Sequence, residues 1–154
     1  MYKVAFTDVP CGGFYPECSS DLFAFKSEAL ARTAFAALLD QVFLDGPLGA
    51  FDTMTELING CSSVNGCIVT TPYAYQAMNN MVLGVQAVNY SSIAGREDIA
   101  DPGIVGWPAD QTGAVYAAGT FAKWELLGAP VPEPTTLALV GIALAGVSLS
   151  RRKH

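Results

Sequence analysis

The sequence predicts an α+β body, a small sheet packed with two or three helices, followed by a single C-terminal transmembrane helix. Three observations carry that expectation. Residues 27–44 place apolar side chains at helical spacing, residues 113–127 alternate as a half-buried strand does, and residues 135–150 run without a charge.

The elements follow in chain order. Tyr2 to Phe6 is short and β-prone, and Pro10 with Gly12 and Gly13 ends it. Ser27 caps a helix reaching Leu44, with Glu28 and Arg32 four apart in the favourable order. Leu30, Ala34, Leu38 and Val42 form its apolar stripe, Phe35 and Leu39 flank it, and Arg32, Ala36 and Asp40 take the other side. Asp45-Gly46-Pro47 stops this helix. A second, short helix is expected from Thr53, because Thr53 and Glu56 fit a capping box, and Asn59-Gly60 closes it. Cys67 to Thr71 reads as a strand ended by Pro72.

Residues 73–88 read two ways. Ala74, Met78, Val82 and Val85 suit a helix, whereas Gly84 and the valines that follow Asn79-Asn80 suit a strand. Residues 91–113, rich in Gly, Pro and charge, read as an irregular excursion. In the last strand Ala122, Trp124 and Leu126 share one face, and Phe121, Lys123 and Glu125 the other. The organisation is therefore a body over residues 1–127, a linker over 128–134, the apolar helix over 135–150 and a basic tail over 151–154. No internal repeat is visible.

Charge narrows the function. The 154 residues carry 14 acidic and 8 basic side chains, for a formal net charge of −6, and the mean hydropathy is +0.34. Intrinsic disorder would need the opposite balance of hydropathy and charge. Three of the basic residues are Arg151, Arg152 and Lys153, which leaves five against all the acids in residues 1–150, a net −9. Lys3, Lys26, Arg32, Arg96 and Lys123 are too scattered for a basic stripe, so nucleic acid is not an expected partner.

The C-terminus is more specific. Residues 135–150 would form a helix of about 24 Å, slightly short of a hydrocarbon core, and the shortfall can be met by local thinning and by snorkelling arginines. Leu137, Leu139, Val140, Ile142, Leu144, Val147 and Leu149 make it apolar on every face, as a membrane anchor requires. The positive-inside rule is expected to keep Arg151, Arg152 and Lys153 cytoplasmic, with the body across the membrane. Just ahead stand Pro132, Glu133 and Pro134, whose prolines enforce an extended, accessible backbone suited to a processing enzyme.

Pro-Glu-Pro, a short apolar run and a terminal basic cluster, in that order, resemble the PEP-CTERM sorting signal of Gram-negative bacteria. The resemblance covers residues 131–154. It implies that Pro132, Glu133 and Pro134 are recognised by exosortase, a membrane-embedded processing enzyme that cleaves near them, with Leu137 to Leu149 as the anchor and Arg151 to Lys153 as the stop. It also implies an association with exopolysaccharide and biofilm. Export requires an N-terminal leader with a basic start and about 7–15 apolar residues. MYKVAFTDVPCGG is not one, so the leader is expected to lie outside this sequence.

The cysteines agree with export. Cys11 and Cys18 enclose one turn-rich segment, Cys61 and Cys67 another, and two local bridges are favoured among the three possible pairings. A four-cysteine zinc site is the rival reading, with less suitable spacing. An oxidising compartment explains an even set of paired cysteines more simply.

Chemistry within the body is sparse. The one histidine is His154, so no histidine base serves Ser–His–Asp or Cys–His machinery there. No phosphate-loop pattern follows Gly12-Gly13. Glu97, Asp98 and Asp101 are carboxylates for a glycosidase-like site, or Asp98 and Asp101 for calcium, against the plainer reading of solvated loop acids. Tyr73, Tyr75, Tyr90 and Trp107 are candidates for stacking on sugars, against plain packing. Asn89-Tyr90-Ser91 formally matches an N-glycosylation acceptor.

The expected protein is a non-enzymatic exported surface component with neither metal nor cofactor. It is anchored in the inner membrane with its body in the periplasm, and reaches the cell surface or extracellular matrix after processing. Its expected role is structural or adhesive beside exopolysaccharide. The alternatives are a secreted hydrolase using the same signal and an uncleaved single-span membrane protein.

Overall fold

The computed structural model describes residues 1–111 and 119–127, without the side chains of residues 94, 101 and 102. The chain divides into a body, Tyr2–Glu125, and a second unit made of Met1 and Leu126–His154. In the second unit the Leu127 N–H donates to the Met1 carbonyl at 3.0 Å. The segments assigned to linker, apolar helix and tail lie outside the described residues.

The elements are β1 (Tyr2–Thr7), α1 (Cys11–Phe14), α2 (Glu28–Gln41), β2 (Asp45–Gly46), β3 (Gly49–Ala50), β4 (Gly66–Gln76), β5 (Met81–Tyr90), β6 (Ile99–Pro108) and β7 (Gly119–Leu126). Five strands form one sheet in the order β1-β7-β4-β5-β6, and β2 with β3 forms a small separate ribbon. β5 is antiparallel to both β4 and β6, while β7 is parallel to β4.

This corrects the α+β expectation. The architecture is mostly β-sheet, with only two α-helices among the described residues, one of them a single turn. No described helix is long and apolar enough to cross a membrane. The balance shifts towards sheet because three segments resolve as extended chain. Pro72 does not end its strand: β4 continues to Gln76 through a bulge between Pro72 and Ala74, a place where the missing N–H is tolerated. Residues 73–88 are a hairpin rather than a helix. Its turn spans Ala77–Asn79 and closes on Asn80 at φ 54°, a left-handed conformation that asparagine accepts readily. Residues 91–113, expected to be irregular, contain β6, because pairing with β5 supplies the hydrogen bonds that local propensity does not favour.

The helix also corrects one detail. Ser27 caps it as expected, accepting the Leu30 N–H at 3.4 Å, and Arg32 pairs with Glu28 at 2.7 Å. The buried stripe is Ala31, Ala34, Phe35 and Leu38, an i, i+3, i+4, i+7 set, so Leu30 lies one position off and is 52% exposed. The expected helix at Thr53 is instead a single 3-10 turn, Thr55–Leu57, with no side-chain cap. Thr53 is engaged elsewhere. Its hydroxyl and N–H both bond the Asp45 carboxylate, which also accepts the Asp52 N–H at 3.0 Å.

Each face of the sheet has its own core. On one, α2 covers Cys67, Val69, Val85, Ala87, Ala122 and Trp124, and the Trp124 indole N–H donates to the Thr71 hydroxyl at 3.2 Å. On the other, residues 11–23 bring Cys11, Tyr15, Cys18 and Phe23 against Val82, Trp107 and Phe121. Phe121 and Ala122 are neighbours in one strand and feed the two cores separately. β7 thus carries apolar side chains on both faces, where a single buried face was expected, and Leu126 at its end is exposed. Gly84 permits the second core: a Cβ there would lie 2.8 Å from the Thr71 carbonyl oxygen and 3.0 Å from the Trp107 ring.

Candidate functional site

The first functional feature of the body is its pair of bridges. Cys11 is bonded to Cys18 and Cys61 to Cys67, with Cα atoms 5.2 and 5.6 Å apart. Both are the local pairings that the spacing favours. The pairing leaves no free cysteine, and so no thiolate for zinc. Their placement is structural. Cys11 and Cys18 belong to the core over one sheet face, and Cys61 and Cys67 to the core under α2.

The four aromatic candidates do not converge. Trp107 is 3% exposed and stacks on Phe121 with ring centroids 4.8 Å apart, which corrects its assignment as a sugar platform. Burial removes the face that a sugar would need. Its indole N–H has no hydrogen-bond partner among the described residues. Tyr73 packs at the edge of the core under α2, and burial raises its pKa. The bulge at Pro72/Ala74 separates it from Tyr75, which packs against the other core and donates its hydroxyl to Asn80 Oδ1 at 2.9 Å.

Tyr90 is different. It stands at the end of β5, half-buried, beside a cleft of about 590 Å³ lined by Ser63, Asn65, Gly66, Ile68, Val88 and Arg96 besides itself. The Arg96 guanidinium lies 5.4 Å from its ring centroid, a cation–π arrangement. The carboxylate of Asp98 accepts the Tyr90 N–H at 2.7 Å and so ties residues 96–98 to the strand end. Burial raises the pKa of Asp98, and nearby Asp52 adds to the shift.

The other candidates are dispersed. Glu97 is exposed, Asp98 is held by Tyr90, and the Asp101 side chain lies outside the described residues. Asn89 is fully buried and its Nδ2 donates to the Phe51 carbonyl at 2.9 Å, so the formal acceptor sequence is closed to a glycosylating enzyme. Ser63, Asn65 and Arg96 were not legible as site residues. They meet Tyr90 only through the β4–β5 register and the loops at that end of the sheet, and no local spacing encodes such a meeting.

Residues 130–153 match the PEP-CTERM protein-sorting motif. Pro132, Glu133, Pro134, the apolar run and the basic cluster all fall within that match. The chain therefore carries a PEP-CTERM sorting signal, which marks an exported protein sorted at the membrane by an exosortase-type processing enzyme. No curated protein and no solved structure matches the chain.

Proposed function

We propose that this protein is a non-enzymatic surface component with a structural or adhesive role in or beside an exopolysaccharide, biofilm-type matrix. The observation that carries the reading is the sorting motif over residues 130–153. In this reading the apolar run at 135–150 holds the chain at the inner membrane while the body faces the periplasm. Arg151, Arg152 and Lys153 stay on the cytoplasmic side, in keeping with the positive-inside rule. Cleavage near Pro132, Glu133 and Pro134 then frees the body to the cell surface or matrix.

Two features of the body support that route. Both disulfides belong to an oxidising compartment. The net negative charge suits a surface protein that must stay soluble and apart from nucleic acid. Fractionation of the producing cells tests the reading. The body should appear in the extracellular, polysaccharide-rich fraction. Replacing Pro132 and Pro134 by alanine should hold it in the inner membrane at full length. Recovery of the wild-type body from the cytoplasm alone would overturn the proposal.

A further inference from the structure

Two neighbouring cross-strand pairs, Gly66 with Tyr90 and Ile68 with Val88, lie side by side on the sheet face opposite α2. Gly66 has no side chain, and a Cβ there would come within 3.1 Å of the Tyr90 ring. The ring therefore leans over the glycine, and Ile68 and Val88 remain as an apolar floor beside it. Above that floor, Ser63 accepts the Asn65 N–H at 3.2 Å and keeps its own hydroxyl proton to donate. The exposed Asn65 side chain adds amide donors and an acceptor.

The charge of this cleft runs against the rest of the body. Residues 1–150 carry a net −9, yet among the described residues the lining of the cleft includes one cation, Arg96, and no carboxylate. Arg96 is exposed and takes part in no ion pair among the described residues. Its contact is with the π face of Tyr90, which leaves the guanidinium N–H fork open. Asp98 fixes the loop that carries it through the Tyr90 N–H.

We propose that this cleft binds a carboxylate-bearing sugar residue, a uronate of an acidic polysaccharide. The pyranose ring would lie on Ile68 and Val88 against the edge of the Tyr90 ring, its hydroxyls would meet Ser63 and Asn65, and its carboxylate would take the Arg96 fork. A sugar ring offers one apolar face and a polar rim, and this cleft has both surfaces in the matching places. The proposal rests on the matrix reading above and names its partner chemistry.

The test is titration of the purified full chain in detergent with a short oligogalacturonate, and with a neutral cello-oligosaccharide for comparison. The acidic oligomer should bind more tightly, and added salt should weaken it. Arg96→Gln should lower its affinity by about tenfold or more while the thermal midpoint stays unchanged, because the side chain is exposed. Arg96→Lys, which keeps charge but loses the fork, should fall between. Equal binding of both oligomers, absence of binding, or an Arg96→Gln variant that binds like wild type would each overturn the proposal. The matrix reading fails separately: a body absent from the polysaccharide fraction of cells sinks it whatever the titration gives. A matrix-located body without uronate affinity sinks only the cleft.

Discussion

Asp45 organises its corner of the chain without being buried. Its carboxylate takes two N–H groups and the Thr53 hydroxyl, and those bonds, the hydroxyl first, hold its pKa below the ordinary 3.8. A carboxyl with a lowered folded-state pKa stabilises above its unfolded value and loses that contribution as pH falls through the lowered one. Asp45→Asn should therefore lower the exchange protection factors of the Asp52 and Thr53 amides at neutral pH, and should lack the fall in their protection expected of the wild type below about pH 4. Tyr15 has the opposite sign. Burial pushes its pKa up to about 12 from the ordinary 10. Its phenol costs nothing below pH 10, and stability drains away between the two values as the unfolded chain ionises first. Denaturant titrations across that range should show the loss, and Tyr15→Phe should lack it.

The helix α2 shows how much of the fold the sequence discloses. Its cap at Ser27 and its ion pair are written in residues one turn apart, so both are legible locally. Which stripe faces the sheet is less so, because Leu30 and Ala31 compete and only the sheet decides between them. Leu38→Ala should destabilise the protein by about 2–5 kcal/mol, whereas Leu30→Ala should stay within about 0.5 kcal/mol, both read by chemical denaturation. The strand β5 stood as one of two readings of residues 73–88, and β6 was hidden, for a related reason. A Gly84 that reads as a weak strand position is required by Trp107 passing above it, and that partner is distant in sequence. Thr53 and Glu56 fit a cap in sequence, yet Asp45 outbids the turn for Thr53. Tyr90 could be singled out as an aromatic in a boundary setting, but its cleft partners Ser63, Asn65 and Arg96 come from loops outside β5 and carried no signal.

At the scale of the whole molecule, the element that leads to the sorting signal is structurally central. β7 lies between β1 and β4 and supplies Phe121 to one core and Ala122 and Trp124 to the other. A chain stopped after residue 127 should keep the near-ultraviolet spectrum and cooperative melting of the full protein, and one stopped after residue 118 should lose both. Opening the Cys11–Cys18 loop by a double serine replacement should cost about 2 kcal/mol, measured by denaturant unfolding under non-reducing conditions. The central claim is that the protein is exported and sorted through its C-terminal signal. Its most direct test is the intact mass of the protein recovered from the cells that make it, before and after reduction. The account predicts a chain that ends near Pro132, Glu133 and Pro134 and gains about 4 Da on reduction, as two disulfides require. A chain that retains Arg151 to His154 and gains no mass on reduction would contradict it.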